Sequence, residues 1–399
     1  MKRLKASSGQ SGIPKLLIGS VVSALLLVAC GSTQAAPSEV VQPSAPFVST
    51  TFPTLPSDAG SFRVESVVKG LEVPWDMAFA PDGRLFITER PGRIRVVDDQ
   101  LLETPFAELN VWRRSEAGLM GIALDPAFAD NSFVYVCYTY LNSRNDSTNR
   151  VARLTDFDGV GIDHTVVIDD IAGARNHNGC RIRFGPDGKL YITTGDAQNS
   201  VSAQAINSLS GKVLRINPDG SIPADNPFPG SPVYTLGHRN PQGIAWHPVT
   251  GEAFITEHGP FDNDEVNRLI AGKNYGWPIV RGAAGSEEFE DAVVAYTPTL
   301  AVSGATFYTG GPLPDEWVNN FFFTTLKAAH LHRIKVETTV QGETRVTVDE
   351  VVLGEEYGRL RSVVEGPDGF LYITTSNRDG RGQPSANDDQ VLRMVPDSG

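Results

Sequence analysis

The chain has 399 residues, 40% hydrophobic and 20% charged, with 39 glycines and 27 prolines, a composition that fits a globular protein and excludes disordered, collagenous and coiled-coil classes. The 34 basic residues are outnumbered by 47 acidic ones, for a net charge of −13. That balance argues against a nucleic-acid partner, because phosphate backbones are bound by basic surfaces.

In chain order the first element is a leader. Lys2, Arg3, Lys5 and Lys15 precede or border an apolar run from Leu16 to Ala29, which closes on Leu27-Val28-Ala29-Cys30. A charged region, an apolar region and a small residue before cysteine make a lipoprotein signal peptide over residues 1–29, with Cys30 as the lipidated residue. An ordinary secretory signal is the alternative, and both export the protein. The expected location is therefore the cell envelope, lipid-anchored on its periplasmic or extracellular face. Residues 30–60 are mostly Ser, Pro, Ala, Thr and Val with hardly any charge, which predicts a flexible tether. The folded domain then spans 61–399.

Within that domain one pattern returns six times: a proline-containing turn followed by a strand rich in aromatic and β-branched residues. The turns stand at Pro81, Pro126, Pro186, Pro248, Pro314 and Pro367, and each is followed by a further strand carrying Arg and an aliphatic residue, from Arg95-Val96 and Arg153-Leu154 to Arg393-Met394. Alternating strands joined by Asp-Gly or Pro-Asp turns predict small antiparallel sheets. Six such units, none able to bury both faces alone, predict an all-β fold, a six-bladed β-propeller. The strand near Phe62 to Val68 is expected to pair with the last blade and close the ring. An open sandwich of similar strands is the alternative, and it does not require a repeating unit.

A propeller gathers its long loops around a central channel, so function is sought in polar loops that turn chemistry does not explain. Four stand out: NHNGCR at 176–181, GHRNPQG at 237–243, the stretch from Glu257 to Pro278, and GRLR at 358–361. Here GKVLRINPDGSIPADNPF, YTLGHRNPQG, HGP followed by NDEVN, and GKNYGWP occur in register between about Leu71 and Val395. In these motifs the chain resembles the soluble pyrroloquinoline quinone (PQQ)-dependent aldose dehydrogenases of the glucose/sorbosone dehydrogenase family.

The resemblance implies a PQQ- and Ca²⁺-dependent oxidoreductase that converts an aldose to its lactone and passes electrons to an external acceptor, a cytochrome or a quinone. His177 matches the base that takes the anomeric proton, and imidazole suits that task near neutral pH. Arg239 matches the cation aimed at the quinone oxygen, and Asn240 adds a hydrogen bond to the cofactor. Lys327, Arg359 and Arg361 match a clamp on the PQQ carboxylates, with Thr299 as a hydroxyl donor. Gly259 and Pro260 match the backbone ligands of a catalytic Ca²⁺; Glu265, the carbonyl of Tyr275 and nearby Asp264 match a structural one. Two cofactor-site positions depart from the glucose-oxidising pattern. Asn176 stands where those relatives have Asp, so the imidazole loses an ionised partner and a weaker base is expected. Glu116 stands where they have Gln, and a carboxylate beside an anionic quinone requires a proton or a compensating cation.

No CxxC or CxxCH occurs, so no fused haem domain is expected. The pairing of Cys137 and Cys180 is left open by the sequence. Two other functions stay in view: a lactonase-type hydrolase with an axial ion held by side-chain carboxylates and amides, and a propeller that only binds a partner.

Overall fold

A computed structural model describes residues 62–397. The predicted signal peptide, Cys30 and the tether lie outside the described residues. Among the described residues no helix is long and apolar enough to cross a membrane.

Six antiparallel sheets form the blades of a β-propeller. Their innermost strands are Pro74–Phe79, Leu119–Leu124, Gly179–Phe184, Pro241–Trp246, Val302–Phe307 and Leu360–Glu365, in blades I to VI. Each innermost strand packs against those of the two neighbouring blades, so the six close a ring around the channel. Phe62–Val68 pairs antiparallel with Val391–Pro396 and forms the outer edge of blade VI, which joins the start of the domain to its end.

The second strands explain why the repeat was visible. Leu85–Glu89, Leu190–Thr194, Ala253–Glu257, Phe321–Thr325 and Leu371–Thr375 are buried at every residue. A strand covered on both faces reads as a continuous apolar and β-branched run. The proline turns connect the innermost strand to the second, and the Arg-aliphatic pairs lie on the third. In blade III the turn residue Asp187 accepts hydrogen bonds from Tyr191 Oη at 3.1 Å and Arg215 Nε at 2.9 Å, so the repeated residues serve architecture.

Cys137, on the second strand of blade II, and Cys180, on the innermost strand of blade III, form a disulfide with Cα atoms 5.6 Å apart. This settles the pairing that spacing left open. The proline turns lie at one end of the blades. The opposite end carries the starts of the innermost strands and the ends of the second strands, and there the polar loops converge.

Candidate active site

His177 precedes the innermost strand of blade III in a left-handed conformation, φ 62°. A side chain pays for that region in strain, which persists only where its surroundings fix it. Two contacts do so: the His177 amide donates to Glu116 Oε2 at 3.1 Å, and its carbonyl accepts from Ala197 N at 3.0 Å. Gly195 lies against the same carbonyl, where any Cβ would clash.

The imidazole is oriented by a residue that the sequence reading missed. His177 Nδ1 lies 2.8 Å from Asp196 Oδ1. Asp196, at the end of the second strand of blade III, also accepts from Gln198 N at 2.8 Å and Trp277 Nε1 at 2.9 Å. With Nδ1 bonded to a carboxylate, the tautomer leaves Nε2 as the acceptor facing the cavity. This corrects the expectation attached to Asn176: its Oδ1 accepts from Ser115 Oγ at 2.7 Å, while a carboxylate from elsewhere supports the imidazole. The only trace of Asp196 in the sequence is the Gly-Asp that closes LYITTGD.

Arg239 and Asn240 lead into the innermost strand of blade IV. The Arg239 amide bonds Glu257, and its Nη1 donates to the His258 carbonyl at 3.0 Å. Burial lowers its pKa, with Asp196 and Glu257 opposing. Asn240 Oδ1 accepts from Gly179 N at 3.0 Å, while its Nδ2 is buried without a partner. His258, unforeseen from sequence, has its Nε2 buried in the same condition, and burial drives its pKa down to about 3, so it is neutral. Buried polar atoms without partners are rare and point to a ligand site.

These residues line two adjoining cavities of about 230 and 310 Å³ that share Glu116, His258, Ala301 and Arg381. The first also holds His177, Arg239, Asn240 and Thr299; the second holds Lys327, Arg359 and Arg361. Lys327 Nζ reaches Thr299 Oγ1 at 3.3 Å. The clamp is less open than its sequence implied, because Arg359 pairs with Asp379 at 2.8 Å and Arg361 lies 3.5 Å from the same carboxylate. Burial takes Arg361 down to about 10, which leaves it charged at neutral pH. Glu116 has the compensating cation that its position requires: Arg381 Nη1 lies 3.0 Å from its Oε1. Burial presses the Glu116 carboxyl upward, while Arg381 and the His177 amide draw it down, and it stays below the usual range.

The residues proposed for metal fall into two groups. Gly259 and Pro260 border both the His177 cavity and a smaller one of about 10 Å³, which is also lined by Glu257, Glu265 and Tyr275. That volume suits one water-sized occupant. Burial, with the neighbouring Glu257, pushes the Glu265 carboxyl up from its usual range, and it accepts from the Gly282 amide at 2.6 Å and Asn267 Nδ2 at 3.0 Å. The carboxylates of Glu257 and Glu265 and the backbone around them are hard oxygen donors of the kind Ca²⁺ takes, and Arg239 and Arg281 line the same cavity. Tyr275 can contribute only its backbone, since its hydroxyl donates to the Arg268 carbonyl at 2.5 Å. Asp264 is a brace and not a free ligand: its carboxylate accepts from the amides of Gly259 at 2.8 Å and Ala301 at 2.5 Å.

Residues 71–385 match the family model described as glucose/sorbosone dehydrogenase. The chain belongs to that family. Among solved structures, one described as a putative oxidoreductase (glucose dehydrogenase) from Thermus thermophilus is 44% identical, covering 84% of this chain and 100% of that one with a TM-score of 0.77. The PQQ-bound aldose sugar dehydrogenase of Streptomyces coelicolor is 34% identical, covering 86% and 99%, with a TM-score of 0.76. The aldose sugar dehydrogenase of Escherichia coli is 31% identical over 80% of this chain and 91% of its own. In this member of the glucose/sorbosone dehydrogenase family a histidine–aspartate pair borders a cation-lined cavity.

Proposed function

We propose that the protein is a PQQ- and Ca²⁺-dependent dehydrogenase that oxidises aldoses at the anomeric carbon to lactones. The observation that carries this reading is the Asp196–His177 pair opening onto two adjoining cavities, the first with Arg239 and the second with Lys327, Arg359 and Arg361 at its walls. Such a wall suits a flat polyanion, and the unpartnered Asn240 Nδ2 and His258 Nε2 offer it further hydrogen bonds. When bound, PQQ supplies a two-electron acceptor for the hydride leaving C1.

The chain's own residues supply the rest. His177 Nε2 takes the proton of the anomeric hydroxyl, and Asp196 stabilises the imidazolium so formed. Arg239 would hold the cofactor's carbonyl oxygen, with its guanidinium kept in place by the His258 carbonyl at 3.0 Å. Lys327, Arg359 and Arg361 would hold its carboxylates, with Thr299 beside them. Gly259 and Pro260 would hold a catalytic Ca²⁺, while Glu265 and the Tyr275 backbone would hold a structural one. The lactonase alternative is disfavoured by the channel itself, where Asp76 is clamped by Arg181 and Arg183.

Export and lipid attachment at Cys30 belong to the same proposal, supported by the charged and apolar leader. So does transfer of electrons to an external cytochrome or quinone, since no haem motif occurs in the chain. The test is dye reduction by purified protein supplied with PQQ and Ca²⁺ across a panel of aldoses. Turnover should require PQQ and fall by about two to four orders of magnitude in His177→Ala. Failure of the wild-type chain to bind PQQ would overturn the reading.

A further inference from the structure

Glu116 brings a carboxylate to both cavities, and the cofactor inferred above carries three more. In a water-excluded site like charges repel strongly unless a cation lies between them. Arg239 and Arg361 also stand at these walls, but the cation paired directly with Glu116 is Arg381, on the loop between the second and third strands of blade VI, which reaches Glu116 ahead of the innermost strand of blade II. That loop is braced from within: the Arg381 amide donates to Asp379 Oδ1 at 2.8 Å, and Asp379 in turn pairs with Arg359. On its other side, Glu116 receives the His177 amide. One carboxylate thus connects the loop of blade VI to the backbone of the catalytic histidine.

We propose that Arg381 is a positioning residue of the cofactor site, which by pairing with Glu116 offsets the charge that would otherwise disfavour an anionic cofactor. The proposal rests on the functional reading above. Arg381 acts through Glu116, so its importance must vanish when Glu116 is made neutral. Its side chain is half exposed, and replacing it opens no cavity in the core.

The experiment is titration of metal-loaded apoprotein with PQQ, followed by calorimetry, in wild type, Glu116→Gln, Arg381→Gln and the double variant. Arg381→Gln should weaken PQQ binding by about tenfold or more, and the double variant should return to within about threefold of Glu116→Gln. Equal losses in both backgrounds, or no loss at all, would overturn the proposal. Arg381→Lys keeps the charge and should retain most of the affinity; a loss as large as that of Arg381→Gln would assign the effect to shape and also overturn it. A wild-type chain that binds no PQQ would instead defeat the functional reading itself.

Discussion

At the residue scale the site depends on what holds His177. The imidazole and Asp196 are 19 positions apart in sequence and 2.8 Å apart in space. Replacing Asp196 by Asn keeps the shape but offers Nδ1 a different partner and removes the charge that stabilises the imidazolium. Asp196→Asn should therefore lower kcat by about two to four orders of magnitude while changing KM little. Steady-state kinetics checks it, and a fall below about threefold would show that Asp196 has no part in proton transfer. His177 and Arg239 were singled out because they stand in polar loops whose motifs resemble those of the family. Asp196 was not, because a Gly-Asp after a strand looks like any turn, and its partners come from Trp277 and His177 in other segments. Arg381 was hidden for a similar reason: it sits in a Gly-, Asp- and Ser-rich loop and acquires meaning only by reaching Glu116, 265 positions away.

At the scale of elements, the blades were readable because burial on both faces leaves a strong mark, whereas the links between a strand and the loop it supports leave none. Lys212 shows this. It lies on the third strand of blade III, within a motif that resembled the family, and nothing in its spacing announced a role. In the structure its Nζ donates to the carbonyls of Ser202, Ala203 and Ser210 at 2.8, 2.9 and 2.7 Å. Those carbonyls belong to the loop that begins with Asp196, so one buried ammonium holds the segment that holds the histidine's partner. Lys212→Met preserves bulk but takes its side-chain donor from the Ser210 carbonyl, while Ser202 and Ala203 keep the amides of Ala205 at 3.1 Å and Gly237 at 3.0 Å, and it should cost about 2 kcal/mol of stability. Urea unfolding measures that loss, and limited proteolysis should show new cuts between 197 and 211. An unfolding free energy within about 0.5 kcal/mol of wild type, with an unchanged digest, would show that the loop is held by other means.

At the scale of the whole molecule, six sheets must be fixed around one axis, and ring closure by Phe62–Val68 is only part of the answer. The channel below the site is filled by a polar hub centred on Asp76 of blade I. Its carboxylate pairs with Arg181 and with Arg183 at 2.7 Å, accepts from Ser362 Oγ of blade VI at 3.0 Å, and accepts from the Ile122 amide of blade II at 3.1 Å. Arg181 continues to the Gln242 carbonyl of blade IV at 2.8 Å and lies over Trp75, 4.2 Å from the ring. Five blades are thereby tied through one buried acid. Sequence pattern missed it because Asp76 interrupts an apolar strand and Arg181 reads as the end of a polar loop. Burial pushes the Asp76 carboxyl upward, but Arg181 and Arg183 outweigh it and hold the group below the ordinary range. An unfolded aspartate titrates near about 3.9. A depressed folded pKa means that the stabilisation is whole above about pH 4 and is lost as pH falls through the folded value. Asp76→Asn removes the charge and leaves two arginines facing one another, so it should cost about 3–5 kcal/mol at pH 7. It should also lose less further stability than wild type between about pH 4 and pH 2, because the proton that wild type takes up at Asp76 on unfolding no longer enters the balance. Urea unfolding of both proteins across that range decides it: converging curves place acid sensitivity in the hub, and parallel curves would move it to carboxylates elsewhere.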